Sequence, residues 1–79
     1  MSSTHTLPPA VQDATPTAKV VYLVLDRADG GLSVAALVDE TGQSRRAVVR
    51  ALDTLETHAL VTRRRDPSDP RRDLWALDR

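Results

Sequence analysis

Hydrophobic residues fall into three blocks of helical period and one alternating block, with short polar runs containing glycine or proline between them. Thr15 offers a capping oxygen just ahead of Pro16, whose missing N–H is harmless in a first helical turn. A helix is therefore predicted from there to about Ala28, closed by Asp29-Gly30-Gly31. Val20 to Leu25 is β-branched enough to suit a strand, but the cap before it and its length up to the glycines favour a helix. Ser33 caps a second, short helix through about Glu40, with Val34, Leu37 and Val38 on one face. Thr41-Gly42-Gln43 reads as a turn. Ser44 then caps a third helix to about Ala59, in which Val48, Leu52, Leu55 and Ala59 recur at i, i+4, i+7 and i+11. Leu60 to Arg65 reads as a strand, Asp66-Pro67-Ser68-Asp69-Pro70 as a turn-forming loop, and Asp73 to Leu77 as the returning strand.

The order helix, helix, turn, helix, hairpin predicts a mainly α fold with a small β-hairpin, a winged helix-turn-helix spanning residues 15–79. Met1 to Ala14 is rich in Ser, Thr and Pro without periodicity, and is expected to be a disordered N-terminal arm. A chain of 79 residues holds one domain and buries only about 60% of its unfolded surface, so a single modest core is expected. No cysteine is present to reinforce that core through a disulfide or thiolate-bound zinc. The longest apolar run, Val20 to Leu25, is far short of the roughly 20 residues that span a bilayer. No basic stretch followed by an apolar segment marks a secretory signal, so a cytoplasmic protein is expected.

Net charge is zero, which by itself argues against a polyanionic partner. The distribution argues the other way. Residues 1–41 carry two basic against five acidic residues, whereas residues 42–79 carry nine arginines against six acidic residues. Such an asymmetry points to one face built for a polyanion. Opposite the core stripe of the third helix lie Arg46, Arg50, Asp53 and Thr57, with Arg45 and Val49 on the flanks. Arg46 and Arg50 are expected to approach bases in a major groove, and Gln43, the Ser44 hydroxyl and the free N–H groups of the helix start to meet phosphates or base edges.

From Ser44 through Leu60-Val61-Thr62-Arg63-Arg64-Arg65-Asp66-Pro67-Ser68-Asp69-Pro70-Arg71-Arg72 the chain resembles the recognition helix, first wing strand and Asp-Pro-x-Asp-Arg-Arg wing of MarR-type winged-helix regulators. The resemblance covers about residues 20–79. It implies a sequence-specific double-stranded DNA-binding transcription regulator, a repressor, with helix 44–59 in the major groove and wing 63–72 on the backbone or minor groove. In that family a wing aspartate orients an arginine into the minor groove, which gives Asp69 and either Arg71 or Arg72 those roles. Pro70, between them, is a departure from the pattern and leaves both arginines open. MarR-type proteins dimerise through extra helices flanking this unit and hold ligands beside those helices. Because the sequence stops at Arg79, directly after the wing, no small-molecule effector and no cofactor are expected.

Two separated histidines without cysteine make a poor metal site, and His58 is expected to compensate the dipole at a helix C-terminus. No nucleophile elbow, phosphate loop or paired carboxylates suggest an enzyme. The rival reading is a winged-helix module that binds another protein, which has no need of arginine on both recognition helix and wing. Six consecutive apolar residues sweep about 500° of a helix and cannot all face one core. Val20, Leu23 and part of Tyr22, beside Arg27, are left outside and predict a homodimer interface, completed by Trp75 or the arm; Trp75 equally suits a hairpin anchor.

Overall fold

A computed structural model of the chain describes residues 9–12, 14–28 and 30–78. Its elements are α1 (Pro9–Gln12), α2 (Pro16–Arg27), α3 (Val34–Thr41), α4 (Arg45–Thr57), β1 (Val61–Asp66) and β2 (Asp69–Leu77). The three longer helices begin as their capping residues dictate. Side-chain oxygens of Thr15, Ser33 and Ser44 accept from the backbone N–H of Ala18, Ala36 and Ala47 at 3.3, 3.1 and 3.1 Å. Each cap satisfies an otherwise orphaned donor and contributes about 1 kcal/mol. Gly42 stops α3 by taking a left-handed conformation (φ 69°), and its N–H returns to Val38 O at 2.9 Å. Only glycine reaches this geometry without steric cost, which permits the tight turn into α4.

α4 lies at the centre of the fold, packed against α2, α3 and β1. Its Val48, Ala51, Leu52 and Leu55 meet Ala18, Val21 and Leu25 of α2, Leu37 of α3, and Val61 in one buried cluster. Val11 belongs to the same cluster and is fully buried. Residues 9–12, expected in a disordered arm, are thus a helical turn pinned by an apolar anchor that one valine in a polar stretch does not advertise. Residues 1–8 and 13 of the arm lie outside the described residues.

β1 and β2 form an antiparallel hairpin with Val61 opposite Leu77 and Arg65 opposite Asp73. The register then shifts, so that Asp66 faces Asp69 and residues 70–72 bulge from β2. The returning strand therefore starts at Asp69, not Asp73, because the Asp66–Asp69 turn is shorter than the loop read from its prolines. Leu32 adds a third, one-residue strand: its N–H and C=O both pair with Trp75 at 2.8 Å. Gly31 makes room for this contact, since a Cβ there would sit 3.2 Å from Trp75 O.

One core expectation is corrected. Ala59 is exposed and sits beyond the end of α4 in a left-handed conformation, so the helix ends at Thr57 and the core stripe at Leu55. Trp75 is only 8% exposed and is paired with Leu32 on its backbone, the position of a hairpin anchor.

Candidate nucleic-acid interface

With Val48, Ala51, Leu52 and Leu55 turned inward, 100° per residue places Arg46 and Thr57 at the crest of α4's outer face, with Asp53 about 30° to one side and Arg50 about 30° to the other. Arg45 and Val49 fall on the flank toward the wing, and Arg50 and Thr54 on the flank toward α2. The surface divides accordingly. A cleft of about 430 Å³ lies between α4, the start of α3 and the wing, and its lining includes Arg45, Val49, Arg63, Arg71 and Arg72. A second cleft, of about 260 Å³, runs on the other side of α4 beside the start of α2 and includes Arg50. Arg45, Arg46 and Val49 are exposed, Val49 to 45%. Arg45, Arg46 and Arg50 make no ion pair among the described residues.

At the mouth of α4, the Ser44 oxygen is engaged by Ala47 N–H. Gln43 is half-buried, accepts at Oε1 from the Thr17 hydroxyl at 3.4 Å, and donates its backbone N–H to Thr41 Oγ1 at 3.2 Å. The turn before α4 is thereby tied to α2 by a side-chain hydrogen bond.

The wing is organised by an acid that the sequence reading left in the turn. Asp66 is 7% exposed. Its Oδ1 accepts from the Ser68 hydroxyl at 2.7 Å and the Ser68 N–H at 2.8 Å, and its Oδ2 from Arg72 Nε at 3.1 Å. The Ser68 hydroxyl first and its N–H second hold the carboxyl below its ordinary range, with Arg72 adding to them and burial opposing. Of the two arginines left open for Asp69, Arg71 is the one beside it: its backbone N–H donates to Asp69 Oδ1 at 3.1 Å and its Nε lies 3.7 Å from the same oxygen. Arg72 belongs to Asp66. Its signal was present as the first aspartate of the Asp-Pro-Ser-Asp turn, where an Asx-type bond two residues on is common.

The arginine run 63–65 splits by strand alternation. Arg63 stacks over the Trp75 ring at 5.4 Å and lies 3.8 Å from Asp73. Arg65 approaches Asp73 at 3.7 Å and donates to Pro70 O. Arg64, on the opposite face, donates to Gly30 O at 2.9 Å and does not line the cleft between α4 and wing. The structure thus brings Arg45, Val49, Arg63, Arg71 and Arg72 together, sets Arg46 on the crest between clefts, and leaves Arg64 apart. Among the described residues no cluster of metal-ligating side chains occurs, and no helix is long and apolar enough to cross a membrane.

Comparison with known proteins agrees with this architecture. The PcaV transcriptional regulator from Streptomyces coelicolor, in complex with its natural ligand, is similar at 27% identity and a TM-score of 0.76, over 85% of this chain and 47% of that one. A probable transcriptional regulator from Pseudomonas aeruginosa is similar at 25% identity and a TM-score of 0.79, over 87% of this chain and 52% of that one. An S. aureus MepR mutant bound to an oligodeoxyribonucleotide shares the fold at 24% identity and a TM-score of 0.76, over 85% of this chain and 49% of that one. The chain thus spans about half the length of these solved structures. Among curated proteins none matches this sequence. The family model described as the MarR family matches residues 13–72, from the segment before α2 through the arginines of the wing. With three capped helices, the tight α3–α4 turn, β1 and the tip of the wing inside that match, the chain belongs to the MarR family of winged helix-turn-helix transcription regulators.

Proposed function

We propose that this domain binds double-stranded DNA sequence-specifically, with α4 in the major groove and the wing on the backbone or minor groove, and represses transcription by occupying its operator. One observation carries the reading: arginines from two elements distant in sequence, Arg45 on α4 and Arg63, Arg71 and Arg72 on the wing, line one cleft with the exposed Val49. A protein-binding surface has use for four gathered guanidinium groups only where its partner is acidic, whereas any phosphate backbone is neutralised by them. Arg46, unpaired on the crest, is the base reader in this arrangement, and Arg71, with its side chain 93% exposed beside Asp69, is the wing-tip arginine. Gln43 and Ser44 border the helix mouth and serve the adjoining phosphate. The reading extends to a homodimer, because the exposed Val20 and Leu23 lie one turn apart on α2, near Arg27 and the edge of the half-buried Tyr22. Two copies would present two recognition helices to a palindromic site about 34 Å apart.

Gel-shift titration against mixed genomic fragments at two salt concentrations tests the proposal. A subset of fragments is expected to be retained, more strongly at low salt. Arg46→Ala is expected to lose about 1 to 3 kcal/mol on retained fragments and much less on the others. Retention of no fragment at either salt concentration would return the domain to the protein-binding reading.

A further inference from the structure

The α2-side flank of α4 differs in chemistry from the wing side. Its cleft is lined by Thr15, Thr17, Ala47, Arg50, Ala51 and Thr54: one cation, three hydroxyl residues, two small residues and no carboxylate. The wing-side cleft, by contrast, already balances its arginines in part with Asp73. Arg50 is exposed and has neither an ion pair nor a hydrogen bond among the described residues. The cleft walls are joined by the hydrogen bond from Thr17 to Gln43 in the turn before α4, and Thr15 caps α2 by accepting from Ala18 N–H.

A major groove is about 12 Å wide and an α-helix with side chains about 10–12 Å across, so a seated recognition helix approaches the phosphates of both rims. The wing serves one rim. We propose that the cleft beside α2 is a phosphodiester seat for the other rim, with Arg50 as its cation and the hydroxyls of Thr15 and Thr54 as its neutral donors. This rests on the DNA-binding reading and moves Arg50 from base reading to backbone contact. Ala47 and Ala51 keep the cleft open, since larger side chains there would fill the space a sugar-phosphate strand needs.

A duplex of arbitrary sequence and about two helical turns is the probe, because it reports backbone contacts without the operator being known. Wild type is expected to bind it with a salt dependence of log K against log[salt], and Arg50→Ala to lower that slope by about 0.9, the loss of one neutralised phosphate. Arg50→Lys is expected to restore the slope, and Arg64→Ala, whose side chain is held by Gly30 O and lines neither cleft, to leave it unchanged. Thr54→Val, which removes a hydroxyl without charge, is expected to weaken binding at every salt concentration at constant slope. Far-UV circular dichroism confirms that the exposed substitutions leave the fold intact. A wild-type slope in Arg50→Ala, with its loss confined to selected fragments, overturns the phosphate seat and makes Arg50 a base reader. Absence of any salt-dependent binding by the wild type overturns the DNA-binding reading itself, and the seat with it.

Discussion

At Ala59 the chain leaves α4 with φ at 57°, a conformation in which a Cβ crowds the following carbonyl. The geometry is enforced by two bonds that close the helix end, Ala59 N–H to Glu56 O and Leu60 N–H to Leu55 O, both at 2.9 Å. Glycine carries no such penalty, so Ala59→Gly is expected to raise stability by about 0.5–1 kcal/mol, read as a shifted urea midpoint at unchanged slope. A lower midpoint would show that the strain is absent. At Asp66 the sign of the pH effect follows from its lowered pKa. The carboxylate contributes to wing order fully above the ordinary carboxylate range, and loses that contribution as pH falls through the depressed folded value. Trp75, buried beneath Arg63 at the base of the wing, reports this as an acid-side change in fluorescence. Asp66→Asn is expected to diminish that change, and an acid profile that overlays the wild type's would sink the assignment.

Among the elements, the wing shows how unevenly arginines contribute. Arg72 is held by Asp66, Arg63 by Trp75 and Asp73, and Arg64 by Gly30, whereas Arg71 projects from the bulge. Arg71→Ala is therefore expected to reduce the salt slope of DNA binding by about 0.9, while Arg64→Ala leaves it at the wild-type value. Equal reductions would mean that Arg64 leaves Gly30 to reach the backbone. The helices were legible in the sequence because their signals are local: the oxygens of Thr15, Ser33 and Ser44 and the left-handed Gly42 act within one turn of chain. β2 was less legible. Its start at Asp69 depends on a bulge that fits three residues against a tight turn, which no alternation pattern encodes.

For the whole molecule, the remaining question is what covers α2. Ala18, Val21 and Leu25 face the core, while Val20 and Leu23 stay 38% and 39% exposed. A small domain gains stability by burying such residues against a second copy. Sedimentation equilibrium at tens of micromolar is expected to show a dimer for wild type and a monomer for Leu23→Glu, since a carboxylate on the seam would be desolvated without a partner. A wild type that sediments as a monomer, or a variant that remains dimeric, removes this face from the interface.

The sequence alone determined the element order from α2 onward, the caps and the stripe Val48, Leu52, Leu55, because periodicity and capping are set by neighbours within a few residues. It also determined that arginine accumulates in the C-terminal half. Tertiary structure decided the rest. Val11 became core through a surface made by other elements, and Asp66 took Arg72 because the bulge brings them within 3.1 Å. Arg45 and Arg50, five residues apart on one helix, came to face different clefts because the wing packs on one side of α4 and the start of α2 on the other. A helical wheel places side chains around one axis, and only packing specifies what stands beside it.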